Sequence, residues 1–294
     1  MTLHGIEIAR QPQMLGEPDV IHTLQNDPGV SQGVEGLSGL LVRGGESDQN
    51  LFLLHHLPLY QVSHLSGLFS AFNVAVVDRV DFLKAGFPAS YGGRLSGICD
   101  VTMRESDFYS YHAQATIGML ATNVLLTGPL VKDRLAFTAS FRRSWAWFLT
   151  GKVMDKINSL NVEGEGYNEQ DYYFMDANLK LDYRIAKGLK GYTHLYYGND
   201  HMNMSSEYAY VQENGTTSYT EIDKMKLRWG NKGIATGLAY DPRAGLHIET
   251  NAYVTDYRSR FRLNNDQKEV STHTYSHKTN ENGITDAGIS AQAG

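Results

Sequence analysis

From Phe108 onward the chain alternates between apolar and polar residues at every second position. Tyr109, Tyr111, Ala113, Ala115, Ile117 and Met119 form one face of the first such run, with Ser110, His112, Gln114 and Thr116 on the other. The stretch from Met175 to Ile185 is cleaner. Its odd positions are Met175, Ala177, Leu179, Leu181, Tyr183 and Ile185, and its even positions are Asp176, Asn178, Lys180, Asp182 and Arg184. Leu135, Phe137, Ala139 and Phe141 repeat the pattern, as do Leu246, Ile248, Thr250, Ala252 and Val254. Successive side chains of a strand point to opposite faces, so these runs predict strands with one dry and one wet face. On that reading Leu179→Arg is damaging, whereas Lys180→Gln, one residue away, is mild.

Up to about Arg104 the pattern is mixed. Glu17-Pro18-Asp19 ahead of Val20-Ile21-His22-Thr23-Leu24 predicts a short helix with a proline and acids at its start, ending near Asp27-Pro28-Gly29. Gly33, Gly36 and Gly39 punctuate a strand-like LSGLLVRGG, followed by LFLLHHLPLY and a loop, QVSHLSGLFSAFN. Val76, Val80 and Phe82 around Asp78, Arg79 and Asp81 predict another strand. Pro88, Gly92 and Gly93 in PASYGGR then mark a reversal. This is a small α+β unit, and the polar cluster Arg104-Glu105-Ser106-Asp107 separates it from the alternating strands.

Alternation alone does not say whether the dry face meets a core or lipid. The links help. Short ones, Val131 to Asp133, Ala186 to Gly188 and Asp241 to Ala244, take turns with long polar ones. The long links run from Ala146 to Tyr172, His201 to Lys224 and Asn264 to Glu281. Short turns on one side and long loops on the other are the pattern of an outer-membrane barrel. Strands of about 10–12 residues suit a tilted bilayer crossing. About eight such strands are predicted, against the about 22 of a plugged transporter.

Composition narrows the classes. Mean hydropathy is −0.36, and no apolar run approaches the roughly 18–20 residues of a membrane helix. Barrel strands, showing lipid only every second residue, remain open. The 18 Tyr and 29 Gly suit strands with aromatic girdles and equally an ordinary all-β protein. A net charge of −6 gives no basic face for phosphate backbones, so nucleic-acid binding is not expected. The single cysteine, Cys99, permits no internal disulfide and reads as a small packed hydrophobe. Met1-Thr2-Leu3-His4-Gly5 lacks the basic start and apolar run of a signal peptide.

The stretches DPGV, VRGG, SHLSGLFSAFN, FLKAGFPASYGGRLSG and GPLVKDRLAFTASFRRSW occur in that order. In that order and spacing the chain resembles the TonB-dependent outer-membrane receptors, of the type found in Bacteroidetes-like bacteria. The resemblance runs from about Leu15 into the barrel strands. It implies an α+β plug domain, residues 1–106 with a truncated N-terminus, followed by the first antiparallel transmembrane strands of an incomplete β-barrel, residues 107–294. It also implies export to the outer membrane of a Gram-negative bacterium and energy-coupled uptake of a scarce ligand: a small molecule, peptide or glycan. The partners implied are outer-membrane lipid and a TonB-type periplasmic protein, engaged through a segment missing from this chain. Two other readings are a non-transporting surface β protein whose long loops bind a partner, and a truncated receptor without function.

Within that resemblance Arg43, Arg79 and Arg94 are the cations expected to pair with acids on the barrel wall and hold the plug closed. His55, His56, Tyr60 and His64 are candidate ligand contacts, as are Tyr192, His194 and Tyr196 on the polar face of one strand. A metal site is not expected, because adjacent His55 and His56 on a strand point to opposite faces, so at most one could join His64. Gly92 to Gly97 lacks the Lys-Ser/Thr ending and the helix of a phosphate loop. No paired acids and no nucleophile elbow point to catalysis, and no cofactor is implied.

Overall fold

The structure is a computed structural model. It describes residues 1–11, 16–32, 40–145, 152, 156, 167–211, 217–243, 245–269 and 271–294. Gly33, Gly36 and Gly39 lie outside the described residues, as does Ala244.

The first third builds a mixed sheet. Its strands are β1 (Thr2–His4), β4 (Leu51–Leu54), β5 (Leu57–Pro58), β8 (Val77–Leu83) and β9 (Ile98–Met103), in the order β1-β8-β9-β4-β5. β4 runs parallel to β9 and the other pairs are antiparallel. Two small ribbons accompany it, β2 (Val30–Gln32) with β3 (Leu40–Val42) and β6 (Ser63–His64) with β7 (Phe69–Ser70). The predicted helix is α2 (Val20–Gln25), after the one-turn α1 (Gly5–Ile8). Asp19 caps α2, accepting the His22 N–H at 2.9 Å. Val20, Leu24, Leu54, Phe72, Val76, Val80, Phe82 and Val101 are buried together, a conventional apolar core.

His55 and His56 are not strand residues. Leu54 pairs with Leu57, so the two histidines form the tip of a two-residue hairpin, with φ of 49° and 66°. That turn demands left-handed backbone, for which Asn and Gly are the usual residues. Histidine carries a local cost there, and contacts from outside the hairpin hold it in place.

The rest is one eight-stranded meander, each strand antiparallel to the next. Its members are β10 (His112–Ile117), β11 (Ala121–Val131), β12 (Leu135–Ser144), β13 (Tyr167–Ala186), β14 (Leu189–Val211), β15 (Thr217–Arg243), β16 (Leu246–Glu269) and β17 (His273–Ala293). Among the described residues β10 and β17 each pair with one neighbour. The plug sheet ends at Met103 and the meander begins at His112, with the polar cluster between them.

Register carries the alternation across strands. Ala113, Leu126, Ala139, Leu179, Leu195, Ile234, Val254 and Ala287 stand opposite one another, an apolar row through the whole sheet. The adjacent row on the other face holds Gln114, Leu125, Ser140, Asn178, Tyr196, Gly233, Thr255 and Asp286. Burial is inverted relative to a soluble sheet. Leu179 is 37% exposed and Lys180 2%; Val254 is 49% exposed and Thr255 0%. The polar face is the dry one because the plug covers it. The expectation that Lys180→Gln is mild therefore fails: its ammonium lies 3.2 Å from Asp182 and donates to the Arg104 carbonyl at 2.7 Å. Gly233 lies on the covered face where a Cβ would press on the Leu57 side chain at 2.8 Å.

Two predicted links are corrected. His201 to Lys224 and Asn264 to Glu281 are mostly strand, paired from β14 through β17. β13 to β17 are 20, 23, 27, 24 and 21 residues long, about twice the expected length. Beyond the apolar band both faces of a ribbon meet water, so the two-residue pattern fades while the backbone ladder continues. Between Trp145 and Tyr167 only Lys152 and Lys156 are described, so most of the third link lies outside the described residues.

Candidate functional site: the plug–wall interface

The hairpin β6–β7 pushes His64 into the covered face of the wall. Its Nδ1 lies 2.7 Å from Asp200 Oδ2 and its Nε2 lies 3.0 Å from Asp176 Oδ1, all three side chains being buried. Facing carboxylates on both sides, both ring nitrogens donate and the ring is an imidazolium. Burial pulls the His64 pKa down, but Asp176 and Asp200 outweigh it and raise the pKa to about 9. The ring stacks on Phe174 at 4.2 Å, which fixes its plane.

The opposing cation comes from the wall. Arg142 on β12 donates from Nε and Nη2 to Asp176 Oδ2 at 2.9 and 2.6 Å, and from Nη2 to the Ser70 carbonyl of the plug at 2.7 Å. The Tyr196 hydroxyl donates to Asp176 Oδ1 at 2.8 Å. The Tyr172 hydroxyl donates to Asp200 and accepts the Leu65 N–H at 2.5 Å. The Ser70 N–H donates to Asp19, the carboxylate that also caps α2. Two cations therefore face two barrel carboxylates in a dry seam, each with further hydrogen bonds. A buried pair of this kind is costly to break on one side.

A second contact forms at the short-turn end. The His55 ring lies 4.4 Å from Tyr192 and 6.1 Å from His194, and His56 Nε2 lies 3.4 Å from Glu249 on β16. Burial, followed by Lys180, His194 and His56, holds the His55 pKa well below its usual value. This ring is thus neutral, and its Nδ1 accepts the Met103 N–H at 3.4 Å. The junction is bound here too: Ser106 N–H donates to Asp182 at 2.9 Å.

A third contact involves Tyr60. Its hydroxyl donates to Asp286 on β17 at 2.8 Å, and its N–H donates to Asn231 on β15 at 3.1 Å. Burial and then the Asp286 hydrogen bond raise its pKa to about 12.

The seven aromatic and histidine candidates thus line no single chamber. They fall into these three contacts, with His64 and Tyr196 in the first, His55, His56, Tyr192 and His194 in the second, and Tyr60 in the third. The arginines stand elsewhere. Arg43 is exposed, with its N–H bonded to the Gly29 carbonyl. Arg79 pairs with Asp81 on its own strand at 2.8 Å. Arg94 sits over the Tyr60 ring at 5.7 Å, one side chain removed from the wall. Sequence reasoning missed Arg142, Asp176, Asp200 and Tyr172. The signal was their parity, since a charged residue at a covered position of a strand needs a partner from whatever covers it.

Residues 9–98 match the TonB-dependent receptor plug domain family. Among solved structures, the chain is similar to the outer membrane transporter YddB from Escherichia coli. The TM-score is 0.51 at 9% identity, covering 99% of this chain and 54% of that one. It is also similar to Pseudomonas aeruginosa FpvA, solved bound to heterologous pyoverdines. There the TM-score is 0.52 at 11% identity, covering 99% of this chain and 48% of that one. No curated protein sequence matches. The chain spans about half the length of these structures. At such identities they show the fold, and nothing in them speaks to a Bacteroidetes type. With a plug-domain match over residues 9–98 and a wall of antiparallel strands folded against it, the chain carries a TonB-dependent receptor plug domain and has the fold of part of an outer membrane transporter.

Proposed function

We propose that this chain supplies the gate of a receptor for energy-coupled uptake, with residues 1–106 as plug and 107–294 as barrel wall. A TonB-type periplasmic protein would pull on the plug, and a small molecule, peptide or glycan would pass once the seam opens. It does no covalent chemistry on that ligand. The observation that carries this reading is His64, held between Asp176 and Asp200 across the seam. Hydrogen bonds exchange with water at a net cost of about 1 kcal/mol each. A polar seam in a barrel lumen can therefore rehydrate and part while the plug's own apolar core stays folded.

The test is uptake by the host with the gene intact or deleted, across ferric siderophores, cobalamin, oligosaccharides and peptides. Deletion is expected to abolish uptake of at least one class, and a protonophore to abolish that same uptake in the intact strain. Unchanged uptake of every class, or uptake indifferent to the protonophore, would contradict the reading.

A further inference from the structure

Beyond the plug, toward the long-ribbon end, the plug-side face of the wall changes character twice. Met202 and Leu227 pack partly against the cluster of Phe69, Tyr172, Phe174 and Trp229, where the plug ends. Register then lays out two apolar rows, Met202–Leu227–Phe261 and, one step further from the plug, Met204–Met225–Leu263. Each of these side chains is half-buried or exposed, Met204 to 37%. The next two rows are polar and acidic, Ser206–Asp223–Asn265 and Tyr208–Glu221–Gln267. Charge on β15 is sorted by face, because Lys224, Lys226 and Arg228 alternate with these positions and point outward. Asn265 donates to Glu221 and Asp223 at 2.7 Å, and Gln267 and the Tyr219 hydroxyl donate to Glu221 at 2.7 Å. These donors are neutral, so both carboxylates bring net negative charge to the lumen. Among the described residues on this part of the face from β14 to β17, Glu269 adds a further acid and Lys278 is the one base.

The short turns mark the periplasmic end, so this face opens to the cell exterior. An apolar patch rimmed by polar residues and wetted on a lumen wall is a surface for a partner. We propose that it receives a cationic peptide with apolar side chains, the substrate class of the uptake reading on which this inference rests. The peptide's apolar side chains lie on the two methionine-rich rows, and its Lys or Arg side chains reach Asp223 and Glu221. Positions two residues apart on a strand are separated by about 7 Å, a span that a Lys or Arg beside an apolar residue covers. Methionine is unbranched and polarizable and repacks around different apolar partners, so the ledge selects a class of peptide rather than one sequence. A ferric siderophore of net negative charge would meet like charge at the two carboxylates. A neutral glycan would leave the apolar rows without an apolar cover.

The experiment is calorimetric titration of the full-length receptor in a neutral detergent. The probes are a synthetic peptide of alternating Lys and Leu, the matched Glu–Leu and Lys–Ser peptides, and an anionic ferric tris-catecholate. The Lys–Leu peptide is expected to bind saturably and more tightly than the other three, with an affinity that falls as salt is added. Glu221→Gln/Asp223→Asn keeps hydrogen-bonding groups and removes the charge, and is expected to weaken that peptide about tenfold. Met225→Ser/Leu263→Ser is expected to weaken it as well, while Lys226→Gln on the outward face leaves it unchanged. No binding of the Lys–Leu peptide, equal binding of any other probe, or native affinity in either double variant would overturn the proposal. Peptide binding without energy-dependent uptake would overturn the uptake reading and leave this site standing. Energy-dependent uptake of another class without peptide binding would overturn this proposal alone.

Discussion

Plug and wall obey opposite rules of burial. In the plug, Phe72, Val80 and Val101 are inside, and Asp78 and Arg79 are outside. In the wall, Asp176, Lys180 and His194 are inside, and Leu179, Leu195 and Val254 are outside. The same hydrophobic effect produces both. It removes apolar area from water, and the wall has two ways to do so: a folded plug on one face and lipid on the other. The plug reaches only the first face, so that face can be polar provided that every buried charge finds a partner. Residue type alone does not tell inside from outside in such a molecule. Strand parity does.

The largest effect that would break this comparison comes from the plug's own core. Phe72→Ala is expected to cost about 3–5 kcal/mol, read as loss of plug protease resistance in the assembled receptor. Next comes the seam. Asp176→Leu leaves His64 and Arg142 facing each other without their shared carboxylate, at a cost of about 3–5 kcal/mol. Lys180→Gln removes the cation beside Asp182, which keeps the Ser106 N–H, and is expected to cost less than Asp176→Leu. Leu179→Arg, one residue away and facing lipid, is expected to cost about 2–4 kcal/mol if it lies near the bilayer midplane. Impaired membrane assembly is its readout, with the plug core intact.

Acidity sharpens the seam further. The folded pKa of His64, about 9, lies above the unfolded value of 6.5. Its contribution, on the order of 3 kcal/mol, is thus fully present below pH 6.5 and is lost as pH rises through about 9. Plug release, followed by limited proteolysis, is expected to rise over that window in the native protein and to show no such step in His64→Gln. The smallest effect is at Arg79, whose pair with Asp81 is largely solvent-exposed. Arg79→Ala is expected to change stability by less than about 1 kcal/mol.

The strands from β10 to β17 were legible because lipid on one face forces strict alternation, as in Met175 to Ile185. Their extensions were not: residues such as Asn203, Ser205 and Lys224 face water on both sides, so nothing in their pattern separates ribbon from loop. Helix α2 was legible through Pro18 and Asp19, which act locally. The hairpin at His55-His56 was hidden because its turn residues are the wrong ones by local rules. Tyr192 and Glu249, far along the chain, accommodate them. The seam was half legible. His64 and Tyr196 stood out by type, while Arg142 and Asp200 looked like ordinary wet-face charges until the plug lay over them.

The central claim is the inverted wall, and lipid contact at single sites tests it most directly. Cys99 is buried, so a cysteine introduced elsewhere can be labelled selectively with a fluorophore. Labels at positions 179, 195, 234 and 254 are expected to be quenched by brominated lipid in the assembled receptor. Cysteines at 178, 196 and 255, one residue away and buried under the plug as Cys99 is, are expected to resist the label and to give no quenching. Equal quenching at both sets, or quenching at the second set alone, would contradict the account.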